Sequence, residues 1–136
     1  MTSCTQNRDH FFGEIVNQQM VNNEIGDIVT EQWKWLERQY SYIKSHAFVV
    51  MPNHIHAVIE IRSERINDQK IKPLSDLIGA YKMTSSKLIH LSCNSEFRWQ
   101  RSFHDHIIRN ERSYWNILNY IENNPANWRD DRFFDE

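Results

Sequence analysis

Ile25, Val29, Trp33, Leu36 and Tyr40 recur at steps of three and four residues. That spacing lines one side of an α-helix and predicts a helix over 25–40. A second stripe of Leu74, Leu77, Ile78, Tyr81, Ser85 and Leu88 follows Pro73, a residue suited to a helix's first turn. Between the two helices the period changes. Residues 47–51 are apolar and β-branched, Pro52-Asn53 breaks the run, and 54–62 alternates, so two strands are predicted. The polar stretch 63–72 reads as a loop, and 1–7 as a first strand. A last strand, roughly 103–109, leads into a terminal helix from Glu111. That helix should end near Asn124, because Pro125 disfavours helical geometry in the residue before it. The order β-α-β-β-α-β plus a C-terminal helix predicts an α+β, ferredoxin-like fold. Its antiparallel sheet would carry helices on one face and leave the other free for a ligand. Such a fold hosts many functions, so function has to come from particular residues.

Composition narrows the setting. With 136 residues, 40% hydrophobic and 25% charged, the chain is sized for one globular domain over 1–136. It has no repeat, and its three glycines and three prolines form no linker. No apolar run approaches the ~20 residues that span a bilayer, and the start MTSCTQNRDH lacks a secretory apolar stretch. The expectation is a cytoplasmic protein without membrane contact. Cys4 and Cys93 are far apart and outside any CxxC spacing, which argues against a disulfide framework or a cysteine-rich zinc site. The net charge of -2 argues against indiscriminate coating of nucleic acid. Yet Lys72, Lys82, Lys87, Arg98, Arg101, Arg109 and Arg112 outnumber Asp76, Glu96, Asp105 and Glu111, a local balance of +3, while Asp130, Asp131, Asp135 and Glu136 collect at the end. That asymmetry fits an anion-facing surface and equally a solvated mixed one.

The chemistry concentrates in 48–61, FVVMPNHIHAVIEI. Side chains alternate across a strand, so His54 and His56 should share the uncovered face while Ile55, Ala57, Ile59 and Ile61 turn to the helices. Two neutral imidazoles on one strand can hold a divalent ion and leave coordination positions for phosphate oxygens. A bare HxH pair is nevertheless more often two half-exposed strand histidines without metal. The chain has no Gly-rich phosphate loop, no GxSxG and no cysteine nucleophile context.

MPNHIHAVIEI resembles the HUH motif (histidine, bulky hydrophobic, histidine) of the single-tyrosine transposases, above all the REP-associated tyrosine transposases and related insertion-sequence enzymes. Further blocks are similar in the same order: FGEI at 12–15, LIGAYK at 77–82, WQRSFHDHIIRNE at 99–111 and YIENNPANW at 120–128. The resemblance implies that Tyr120 is the nucleophile and that His54, His56 and Asn124 hold a divalent metal, Mg²⁺ or Mn²⁺. Asn124 stands four residues after Tyr120, which would put both on one helical face. On residue pattern alone, Tyr120 is more readily a packing tyrosine than a nucleophile, and Tyr114 is a competing nucleophile on the same helix, placed on the packing stripe.

The implied reaction nicks single-stranded or hairpin DNA, leaves a 5′-phosphotyrosine and a free 3′-hydroxyl, and rejoins strands without ATP. Candidate backbone contacts are Lys82, Lys87, Arg98, Arg101, Arg109 and Arg112; candidate stacking residues are Tyr81, Trp99 and Phe103. His104 and His106 make a second HxH around Asp105, read as surface histidines or phosphate contacts rather than ligands. Relatives include dimers in which the tyrosine serves the partner's histidines and monomers, so a homodimer is one expected arrangement. The rival readings are a hairpin-binding module that does not cut, and a zinc hydrolase that needs neither Tyr120 nor Asn124.

Overall fold

The computed structural model describes residues 1–62, 71–92, 94–131 and 134. Most of the predicted 63–72 connection, together with Cys93, Asp135 and Glu136, lies outside these residues. The elements are β1 (Thr2–Cys4), β2 (Gly13–Val16), β3 (Gln19–Asn22), α1 (Glu24–Gln39), β4 (Ile43–Met51), β5 (His54–Ile61), α2 (Leu74–Ser92) and α3 (Glu111–Glu122). The fold is α+β, as the periodicities predict.

β5 is the middle strand of an antiparallel sheet ordered β1-β5-β4. Pro52 and Asn53 make a two-residue turn that pairs Met51 with His54, so the register of the histidines is set at the turn itself. One face of this sheet meets α1 and α2. Ile55, Ala57, Ile59 and Ile61 pack there with Val29, Trp33, Leu36, Leu77, Ile78 and Tyr81, as alternation requires. Trp33 stacks on Phe48 with ring centroids 5.1 Å apart, and the Tyr81 hydroxyl donates to the Val29 carbonyl at 2.8 Å, tying α2 to α1. Tyr81 is therefore a fully buried core residue rather than a stacking platform. Trp99 joins the same core and donates its Nε1–H to Ser85 Oγ at 3.1 Å.

Two elements depart from the pattern-based expectation. The predicted first strand stops at Cys4, and a separate hairpin, β2–β3, precedes α1. Its turn places Asn17 and Gln18 at φ 53° and 65°, the left-handed pair of a type I′ turn, which is signalled in sequence mainly by glycine. The predicted strand over 103–109 is reduced to one isolated bridge, Thr2 with His104; a second, Thr5 with Trp99, lies before it. A β-branched and apolar run becomes a strand only where another backbone pairs with it, and 105–109 form no bridge with the described residues.

α3 lies on the opposite face of the sheet from α1 and α2. Its Leu118 and Ile121 bury against Val58, with Ala47, Val49, Ile108, Tyr114 and Ile117 around them. Asn110 caps the helix by accepting the Ser113 N–H at 2.8 Å. The histidine face is thus covered, which corrects the expectation of an open one. Val58 lies on the same face as His54 and His56, and an apolar group there is stabilised by a helix above it.

Candidate metal centre and its tyrosine

β5 holds both imidazoles by alternation, and each is fixed from behind. His54 Nδ1 meets Asn53 Oδ1 at 2.7 Å. An amide oxygen only accepts, so Nδ1 carries the proton and the Nε2 lone pair points into the site. His56 Nδ1 meets Thr2 Oγ1 at 2.6 Å, across the β1–β5 pair. The two Nε2 atoms consequently converge to 3.0 Å. Two nitrogens bound at ~2.0–2.1 Å to one ion, at angles of ~90–109°, stand ~2.8–3.4 Å apart. The two nitrogens share a hydrogen bond, and their spacing is also compatible with two ligands of a single cation.

Burial sets the charge state. His54 is fully buried and His56 nearly so. Desolvation, then the neighbouring His56 ring, pushes His54 down to about 3, against the raising effects of Asp131 and Asn124. It is a neutral imidazole at physiological pH, the form that ligates metals.

The cover over the pair comes from α3 and the turn after it. Tyr120 lies on the last turns of α3 with its ring centroid 5.4 Å from that of His56, and it remains 46% exposed. The helix ends at Glu122, so Asn124 sits just past it, in a turn rather than on the helix. It is buried all the same, and its backbone N–H bonds Ile121 O at 3.2 Å. Trp128 packs over His54 at 6.0 Å between ring centroids, and a 3₁₀ turn, Trp128–Asp130, delivers Asp131 inward.

Asp131 is the residue that sequence reasoning missed. Its Oδ2 accepts from Tyr120 Oη at 3.3 Å and from Asn124 Nδ2. The same oxygen lies 3.7 Å from His54 Nε2 and 3.9 Å from His56 Nε2. His54, His56 and Asp131 thus present one ligand atom each within 4.8 Å of one another, all buried. In the sequence Asp131 is one acid in a terminal cluster, and no local spacing sets it apart.

The donor set fits a divalent cation. Two imidazole nitrogens, a carboxylate oxygen and an amide oxygen suit the smaller divalent ions. Asn124 Oδ1 is buried and meets no donor in hydrogen-bonding geometry among the described residues, although it stands near enough to His54 to favour that ring's protonated form. A buried carbonyl oxygen of this kind is costly unless something electropositive faces it.

The other candidates are dispersed. Tyr114 donates toward His46 Nδ1 at 3.0 Å, and His46 Nε2 in turn meets Glu60 at 2.7 Å, so Tyr114 belongs to a separate network. Lys82 is spent on the backbone, bonding the carbonyls of Gln100 and Ser102 at 2.8 and 3.0 Å, and its pKa is lowered by burial. Arg98 caps its own loop through the Ser95 and Phe97 carbonyls. Lys87, Arg101, Arg109 and Arg112 are exposed. A cavity of ≈ 1000 Å³ runs from His56 and Tyr120 past Val58 to His46 and Glu60, walled by 104–108, and none of the six basic candidates lines it.

Comparison with known proteins bears on this arrangement. The family model described as IS200-like transposase matches residues 3–124. An uncharacterised protein of Haemophilus influenzae is 34% identical over 149 residues, covering 98% of this chain and 83% of its own. A solved REP-associated tyrosine transposase, bound to a REP hairpin, aligns at TM-score 0.63 and 23% identity over 93% of this chain; the chain spans 65% of that protein's length. A solved transposase homologue from Deinococcus radiodurans aligns at TM-score 0.56 and 19% identity, over 90% of this chain and 85% of its own. At these identities the two solved structures speak for the fold.

Proposed function

The chain belongs to the IS200-like, single-tyrosine transposase family, and from that membership we propose that it nicks and rejoins single-stranded DNA through a 5′-phosphotyrosine on Tyr120. Transposase-type action on DNA follows from the family; the metal, the covalent intermediate and the roles of individual residues are the proposal. The observation that carries it is convergence. One carboxylate oxygen, Asp131 Oδ2, is bonded by Tyr120 and Asn124 and lies within 3.9 Å of both histidine Nε2 atoms. A packing tyrosine would have no reason to share that point.

His54, His56 and Asn124 would hold a divalent ion, Mg²⁺ or Mn²⁺, with Asp131 available as a further oxygen ligand. The ion would supply Lewis-acid stabilisation of the charge that builds on the phosphate oxygens. The chain's own residues do the rest. A free phenol has a pKa of ~10 and needs a proton acceptor, and Asp131 Oδ2 accepts a hydrogen bond from the Tyr120 hydroxyl at 3.3 Å. Tyr120 Oη attacks phosphorus, the P–O3′ bond breaks, and a 3′-hydroxyl strand is released. Attack by a 3′-hydroxyl on the phosphotyrosine reverses the step and needs no ATP, because the phosphodiester energy is retained in the tyrosine ester. Exclusion of water by Trp128 and α3 over the imidazoles strengthens each of these electrostatic contacts.

All of these groups come from one chain, and the reaction is proposed to run within one subunit. The DNA partner is proposed as a single strand or hairpin. The test incubates protein, Mn²⁺ and labelled hairpin DNA with a single-stranded flank, then runs a denaturing gel. Wild type should give a protein-linked label, and Tyr120→Phe none. Hairpin binding without any adduct in wild type would leave only the non-cutting reading.

A further inference from the structure

The second HxH, His104-Asp105-His106, has no part in the centre described above, yet the backbone fixes the face of the sheet to which one of its side chains projects. Thr2 and His104 exchange a pair of bonds, Thr2 N–H to His104 O at 2.7 Å and His104 N–H to Thr2 O at 2.8 Å. On its other edge Thr2 lies directly opposite His56. Residues opposite one another in an antiparallel pair project to the same face, so His56, Thr2 and His104 form a row across the sheet. The Thr2 hydroxyl bonds His56 Nδ1, which places that whole row on the face occupied by Tyr120. Two strand spacings of ~4.8 Å separate the outer members of the row by about 10 Å at the backbone. His56, Tyr120, His104 and His106 border one cavity.

The reaction has one unassigned proton. Displacement at phosphorus runs in line, so the departing oxygen lies opposite the attacking one. Asp131 is on the attacking side, bonded to the Tyr120 hydroxyl. A sugar alkoxide is a poor leaving group, and its departure is eased by a proton donor on the far side of the phosphate. Imidazole is the side chain that gives and takes a proton near neutrality.

We propose that His104 donates a proton to the departing 3′-oxygen and takes it back when a 3′-hydroxyl attacks the phosphotyrosine. This rests on the transesterase reading above. In the forward step the Oη–P bond forms and P–O3′ breaks; the phenol proton passes to Asp131 and the His104 N–H proton to O3′. The reverse step returns both, and nothing is oxidised or reduced. His106 borders the same cavity, but no bridge fixes its orientation, so it is the alternative donor that the experiment has to separate.

The experiment compares two substrates that differ in one atom, the scissile 3′-oxygen or a 3′-bridging sulfur. A thiolate leaves without a proton. First-turnover adduct formation is measured for wild type, His104→Gln, His104→Asn and His106→Gln, with hairpin binding and melting recorded for each. Both His104 variants should be ~10²-fold or more slower on the oxygen substrate and close to wild type on the sulfur substrate. Equal loss on the two substrates would mean a binding or folding role, and no loss at all would mean none; either overturns the proposal. Rescue by sulfur in His106→Gln instead would move the role to His106 and overturn it equally. Should wild type form no adduct on either substrate, the transesterase reading fails first and this one with it.

Discussion

The Tyr120 hydroxyl donates to Asp131 Oδ2 at 3.3 Å, and that same oxygen lies 3.7 Å from His54 Nε2. The contact joins the proposed nucleophile to the candidate metal-binding cluster through a residue eleven positions along the chain. If Asp131 takes the phenol proton, Asp131→Asn keeps the shape and loses the base. Nicking should slow by ~10²–10⁴-fold, with hairpin binding retained. A variant that nicks as fast as wild type, or faster, would show that the carboxylate only fills the site before substrate arrives.

Asn53 acts one step back from the cluster. It is fully buried, and its Oδ1 fixes the His54 tautomer at 2.7 Å. Asn53→Ala should weaken Mn²⁺ binding by ~10–100-fold, and Asn53→Asp, which still accepts from Nδ1, should recover most of it. Calorimetric titration with MnCl₂ reads both. Unchanged affinity in the alanine variant would mean that the ring is oriented by packing alone.

The neutral state of His54 has a consequence for the metal-free protein. Its pKa is about 3 in the fold against an ordinary 6.5. Below pH 6.5 the unfolded chain takes up a proton that the folded chain refuses. The stability is therefore complete above that pH and declines as pH falls toward 3. Between pH 7 and pH 5 the loss from this group is about 2 kcal/mol. Urea midpoints of wild type and His54→Gln, taken with chelator present, should differ in their pH slope by roughly that amount. Parallel slopes would contradict it.

Because Tyr120 meets its own chain's His56, mixing Tyr120→Phe with His56→Ala should not restore adduct formation. Recovery in the mixture would require the phenol of one molecule to act at the histidines of another, and would make an exchanged dimer the active form.

Tyr114 serves as the internal comparison. Its hydroxyl is bonded to His46 rather than to the cluster. Tyr114→Phe should cost about 1 kcal/mol of stability from the lost bond and leave adduct yield unchanged. Loss of the adduct in this variant, with melting preserved, would transfer the nucleophile to Tyr114.

The amino-acid sequence by itself determined the helices, the β4–β5 pair and the shared face of His54 and His56, because each follows from a period of two or of three to four residues along a local stretch. It also carried Tyr120 and Asn124 as a pair at short spacing. Only the tertiary structure decided that the histidine face is covered, since that depends on Val58 finding Leu118 and Ile121, sixty residues away in the chain. The same holds for Asp131, whose entry into the site depends on the turn after α3 folding back over His54. A charge in a terminal acidic run looks alike whether it faces water or a buried imidazole pair, and contacts distant along the chain leave no period to read. The loss of the 103–109 strand beyond His104 and the Asn17-Gln18 turn escaped for a related reason: one depends on which backbone pairs with it across the chain, and the other used left-handed backbone without glycine.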